Sequence, residues 1–334
     1  MSYRSTLRLV CLAGLVFIVS TFPLTGYSTP AAGAVGSYPV FLPLVASGPD
    51  VWRPFSNTSP WNVPIPPDAQ VDPNSPAMIA QLLTSSDPRI GIDLEGPTIW
   101  YADNSTPRYF VQCTLGNCRD MTNVPVPDGA IGAVGTDQHM TVIDPPNHMS
   151  YDFYRPQTPV SGSPVMTAAW GTAFDLSGTG VKDRGAASAR ASGFPLLGGL
   201  IRPEEIRAGH INHALIFSYD YPGPCLVYPA STNGGSSKDP RAMPFGAHLQ
   251  LDPTLDLNTL GLTRSGMVVA RALQEYGMYV GDNANTGIYL YAESFNGNIG
   301  PSPWVGLLSA TEILWKVPAS RLRVLKLGPV DCTA

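Results

Sequence analysis

Apolar and polar residues alternate in short runs over most of the chain from residue 98 onward. Runs at 98–102, 108–113, 139–144, 149–154, 166–174, 211–219, 247–251, 278–280 and 288–291 are rich in β-branched and aromatic residues and are separated by Gly, Pro, Asn and Asp. Such runs predict strands joined by turns. Helical spacing is rarer. Thr263 is placed to cap a helix carrying Met267, Ala270, Arg271, Leu273 and Gln274 and stopped by Gly277. Shorter candidates run from Pro203 to Gly209 and from a Ser75 cap to Leu83. With no internal repeat and no interior linker, the pattern predicts a mainly β fold. The expected architecture is one two-sheet sandwich, jelly-roll or concanavalin-like, with one or two short helices.

The N-terminal pattern differs. Arg4 and Arg8 precede an apolar stretch from Leu9 to Leu24, and Ala32-Gly33-Ala34 supplies a small-x-small site. This predicts a signal peptide over 1–34, cleaved before Val35. Thr21 and Pro23 interrupt the run, which is shorter than a comfortable membrane span. Residues 35–51 read as an extended lead-in, and 52–334 as the domain. The expected location is therefore outside the cytoplasm.

Composition sharpens this. Gly and Pro make up 67 of 334 residues and charged residues only 13%, which favours short strands and tight turns over long helices. Removing the leader takes away two arginines and no acids, so the net charge of −5 becomes −7. There are only four lysines, Lys182, Lys238, Lys316 and Lys326, and no basic stripe. Nucleic acid and anionic membrane are excluded as expected partners; a polysaccharide or oligosaccharide bound by a monomer is expected. Four cysteines remain after processing. Of their three pairings we favour Cys113 with Cys118 and Cys225 with Cys332, since a folded protein outside the cytoplasm forms disulfides. No Cys-x-x-Cys occurs and no His lies near a Cys, so no metal site is expected at the cysteines. No cofactor is expected, and a structural calcium stays open.

The chemistry-bearing residues fall in a few phrases. In the predicted hairpin His139-Met-Thr-Val-Ile-Asp144 and Met149-Ser-Tyr-Asp-Phe-Tyr154, period-two alternation gives Ser150, Asp152 and Tyr154 one face. If that face meets His139 and Thr141, a histidine, a carboxylate and a phenol gather as an acid/base set. His139, Asp152 and Tyr154 are thus catalytic candidates. His213 joins them, although it shares parity with Leu215 and Phe217 and so also reads as a hydrogen-bonded core histidine. Glu204 and Glu205 suit a helix start and need no further role. Asp282, Asn283 and Gln250 can address sugar hydroxyls, and Trp100, Tyr101, Trp170 and Trp304 can stack on sugar rings.

Taken in order, His139-Met-Thr-Val-Ile-Asp, Tyr151-Asp-Phe-Tyr, Gly199-Leu-Ile-Arg-Pro-Glu-Glu-Ile, Gly209-His-Ile-Asn-His-Ala-Leu and Tyr276-Gly-Met-Tyr-Val-Gly-Asp-Asn resemble a group of uncharacterised secreted bacterial proteins. The resemblance spans about 52–283 and implies export and the order of motifs. It transfers no catalytic residue. The P-loop, dinucleotide, Gly-x-Ser-x-Gly and His-Glu-x-x-His signatures are absent. The expected function is a secreted carbohydrate-active enzyme that cleaves glycosidic bonds of an extracellular polysaccharide, a hydrolase rather than a lyase. The alternative is a non-catalytic glycan-binding or cell-surface protein.

Overall fold

The computed structural model describes residues 52–333 except 95, 117, 158, 160, 161, 296–301 and 310–315. The expected signal peptide and lead-in lie outside the described residues. Among the described residues, twelve strands form two sheets of six. The first contains β1 (Ile90–Asp93), β8 (Leu215–Tyr219), β9 (His248–Leu251), β10 (Met278–Asn283), β11 (Ile288–Tyr291) and β12 (Leu322–Val324), in the order β1-β11-β8-β10-β9-β12. The second contains β2 (Thr98–Tyr101), β3 (Arg108–Cys113), β4 (Met121–Pro125), β5 (Met140–Asp144), β6 (Met149–Pro156) and β7 (Val165–Asp175), in the order β2-β5-β6-β7-β3-β4.

The protein is mainly β, a two-sheet sandwich with three short helices among the described residues. Its strand pairing is mixed. β1 with β11, β8 with β10, β2 with β5 and β3 with β7 run parallel, whereas a jelly roll or concanavalin-like sandwich is antiparallel throughout. The helices are α1 (Ser75–Leu82), α2 (Pro203–Ala208) and α3 (Arg264–Glu275). Thr263 caps α3 by accepting the amide of Gly266 at 3.0 Å, as its sequence predicts. Ser75 does not cap α1. It sits inside the helix, and its hydroxyl accepts the amide of Val324 at 2.9 Å, tying α1 to β12. The buried side of α3 is Gly266, Val268, Val269, Ala270, Ala272 and Leu273, so of the spaced residues Met267 is only half-buried and Arg271 faces solvent.

Each sheet has its own hydrophobic cluster. Phe217, Leu249, Val269, Leu273, Met278 and Leu290 belong to the first; Val111, Val124, Met140, Val142, Phe153 and Met166 to the second. Between the sheets lies a coil, 188–200, buried along nearly its whole length. Buried backbone must find partners, and this coil finds them on both sides. The amide of Leu196 donates to Asp152 of β6 at 2.7 Å, while the amide of Ile216 in β8 donates to Gly199 at 3.1 Å. Gly199 has φ +72°, and a Cβ there would lie 2.6 Å from the Ile216 nitrogen, so only glycine permits this approach. Phe194 packs edge-on against Trp61 and Tyr279, with ring centroids 4.7 and 6.3 Å away. Both expected disulfides are present. Cys113–Cys118 closes a five-residue separation, and Cys225–Cys332 ties the C-terminal tail across 107 residues. Among the described residues no helix is long and apolar enough to cross a membrane.

Candidate functional site

The hairpin residues share a face, as their alternation predicts. Thr141 pairs with Asp152 across β5 and β6, the Thr141 hydroxyl donates to Asp152 at 2.7 Å, and the His139 and Tyr154 rings lie 5.7 Å apart. That face meets the coil 188–200 and not an open groove. Asp152 is fully buried, and burial pushes its carboxyl up to about 6 even though Leu196 and Thr141 donate to it. His139 donates from Nε2 to the carbonyl of Ala189 at 3.0 Å, and burial together with Arg190 lowers its imidazole to about 4. Asp282 reaches the same cluster. Its Oδ2 lies 3.7 Å from Nη1 of Arg190, and burial raises its carboxyl to about 6 against that neighbouring charge.

The other predicted residues lie apart. His213 is buried with one ring nitrogen 2.9 Å from the carbonyl of Ala214 and the other 2.8 Å from Glu205; it precedes β8 and is not part of the strand. Gln250 is buried between α3 and β12, donating to Gln274 and accepting from Arg323. Trp100 turns its indole to the carbonyl of Ile131 at 3.1 Å on the second sheet. Asn283 is exposed and lines a cleft of about 450 Å³ on the first sheet.

A second constellation, drawn from β2, the end of β11 and the start of α2, went unrecognised in the sequence apart from Tyr101. Tyr101 ends β2, Glu293 follows the end of β11, and Arg202, Glu204 and Glu205 come from the start of α2. Ile201 bridges Ala292 in parallel, and Glu293 donates its amide to Ile201 at 2.9 Å, which holds α2 beside the end of β11. Arg202 is buried and fully engaged: it donates to Trp52 O, contacts Glu204 at 3.0 Å and donates to Glu205 at 3.2 Å. Its guanidinium lies 5.2 Å from the ring of Trp52, which is 45% exposed. Glu205 is wholly buried. Burial opposes its charge, yet His213 and Arg202 together hold its carboxyl down at about 2.

Glu293 behaves in the opposite way. It is half-buried, and desolvation, followed by the carboxylate of Glu204, pushes its carboxyl up to about 8. Tyr101 is likewise raised by burial, to about 12. A carboxyl raised in this way can hold its proton at neutral pH. Strand parity gives no signal for Glu293, which lies two residues beyond the end of β11. Among the described residues no group of three or more His, Cys, Asp or Glu is arranged to hold a metal. No protein-family model, curated protein or solved structure matches this chain.

Proposed function

We propose that the protein is an exported glycoside hydrolase working at the Glu293–Glu204 site. The observation that carries this reading is Glu204, ion-paired to the buried Arg202 at 3.0 Å, whose charge adds to burial in raising the carboxyl of Glu293 to about 8. In this reading Glu293 donates its proton to the glycosidic oxygen as the bond breaks. Glu204, 29% exposed at its side chain, supplies the carboxylate that assists water or the anomeric carbon. Trp52 and Tyr101 offer aromatic faces for sugar rings, and Arg202 and Glu205 hold Glu204 and Trp52 in place. Two disulfides suit a compartment outside the cytoplasm, and the N-terminal charge and apolar pattern supports export.

Incubating the mature, disulfide-bonded protein with a polysaccharide panel tests the proposal. New reducing ends are expected, without the ultraviolet absorbance of unsaturated uronate that a lyase would generate. Glu293→Gln should lower kcat by on the order of 10²–10⁴-fold. The wild-type rate should fall as pH rises through about 8, where Glu293 gives up its proton. Undiminished turnover by Glu293→Gln removes the proposed acid, and binding with no turnover favours the glycan-binding alternative.

A further inference from the structure

His213 lies in the interior, 2% exposed, on the bend before β8. Both of its ring nitrogens face oxygen. Nδ1 is 2.9 Å from the carbonyl of Ala214, and Nε2 is 2.8 Å from Oε1 of Glu205. A carbonyl oxygen can only accept a hydrogen bond, so Nδ1 must donate, and in a neutral imidazole that leaves Nε2 bare. Nε2 and the carboxylate then meet lone pair to lone pair unless one more proton lies between them. Glu205 is a poor place for that proton. Its Oε1 also accepts from Nη2 of Arg202 at 3.2 Å, and its Oε2 accepts from the backbone amide of Arg202 at 2.9 Å; both contacts favour the ionised carboxylate. Charge points the same way. With a neutral His213, the single cation Arg202 faces two carboxylates, the buried Glu205 and Glu204 at 3.0 Å from Nη1. An imidazolium makes it two against two, and burial penalises the unbalanced set. Glu293 and Tyr101 also interact with Arg202, but at neutral pH both hold their protons and leave the count unchanged. Arg53 reaches this stretch too, donating to the carbonyls of Asn62 and Asn212 at 3.2 and 2.7 Å.

We infer that His213 is a buried imidazolium, protonated on both ring nitrogens at neutral pH, and that it is a positioning residue for Glu204. The line runs from His213 through Glu205 and Arg202 to Glu204, with contacts of 2.8, 3.2 and 3.0 Å. With the imidazolium beside it, Glu205 is neutralised from two sides, and Nη1 of Arg202 is left to hold Glu204. Without it, Arg202 alone balances Glu205 and is drawn towards that carboxylate, away from Glu204. The protonation state stands on the hydrogen-bond geometry; the positioning role rests on the hydrolase reading above.

Nitrogen-15 NMR of the histidine-labelled mature protein at pH 7 reads the protonation state without any substrate. The chain has five histidines. Replacing the exposed His148 and His210 by Gln leaves three, and burial lowers His139 and His248 to about 4, so those two rings are neutral at pH 7. A ring protonated on both nitrogens is therefore expected, and it belongs to His213; three neutral rings would overturn the inference. Glu205→Gln offers an amide that can donate to Nε2, so in that variant His213 should become the neutral tautomer with its proton on Nδ1. Two protonated nitrogens there would overturn the coupling to Glu205. For the positioning role, His213→Gln, or Glu205→Gln should that variant not fold, is expected to lower kcat about tenfold with KM nearly unchanged. Wild-type kcat in the folded variant overturns that role. If the wild type releases no reducing ends, the hydrolase falls and the positioning role with it, while the imidazolium is judged by the spectrum alone.

Discussion

Arg202 and Arg190 are both removed from water, at 2% and 1% exposure, yet their surroundings differ in kind. Arg202 contacts two glutamates and a backbone carbonyl, and Glu205 in turn meets His213. Arg190 has one carboxylate at 3.7 Å, an aromatic ring and no hydrogen bond among the described residues. Desolvation costs several kcal/mol for either ion, and only good geometry and further hydrogen bonds offset it. The Arg202 network meets that condition and joins α2, Trp52 and the segment before β8. The Arg190 cluster does not, so stability alone gives no reason to keep a cation there.

Removing one partner from the satisfied network should have the largest effect. Glu205→Ala strands Arg202 and His213 in the interior and is expected to cost about 3–5 kcal/mol, measured by urea denaturation; a loss under 1 kcal/mol would mean that the network is not holding α2. Arg190→Met should behave differently. At about pH 5, below the value near 6 to which burial raises Asp282 and Asp152, both acids can take up protons when the cation is gone. Stability is then expected to change by no more than about 1 kcal/mol in either direction. A cost matching that of Glu205→Ala would erase the contrast between the two clusters.

The sequence exposes these regions unequally, for physical reasons. The hairpin 140–156 carries strict alternation, so the shared face of Thr141, Asp152, His139 and Tyr154 could be read directly. What covers that face could not. The coil 188–200 is rich in Gly, Ser, Pro and Leu and looks like a surface loop, but it is buried because Asp152 and Ile216 supply partners for its backbone. The three strands missed, β1, β4 and β12, are all sheet edges. Edge strands are short and carry polar residues or Pro, as in Ile-Gly-Ile-Asp, Met-Thr-Asn-Val-Pro and Leu-Arg-Val, which leaves little periodicity to detect. The Glu293 site is assembled from the ends of β2 and β11 and the start of α2, and no local pattern announces contacts that distant. The pair Glu204-Glu205 read as helix-dipole residues because sequence alone does not show that Glu205 is buried against Arg202 and His213.

A pH-dependent effect separates Glu293 from Glu205, the buried partner of Arg202. Glu293 rises from an ordinary value of 4.5 to about 8 in the folded protein, so the native state binds this proton more tightly than the unfolded chain. By linkage, the stability it contributes is complete below about 4.5 and is lost as pH rises through about 8. Glutamine keeps a neutral side chain at every pH. Glu293→Gln should therefore melt with the wild type near pH 4 and above it at pH 9, by a margin on the order of ten degrees. Glu205 has the reverse sign: its carboxyl is depressed to about 2, so its contribution is present above about 4.5 and disappears only as pH falls towards 2. Melting curves of Glu293→Gln and wild type across this range need no substrate. A difference that stays flat from pH 4 to pH 9 would show that Glu293 titrates as an ordinary surface carboxylate, and with it would go the acid that the hydrolase requires.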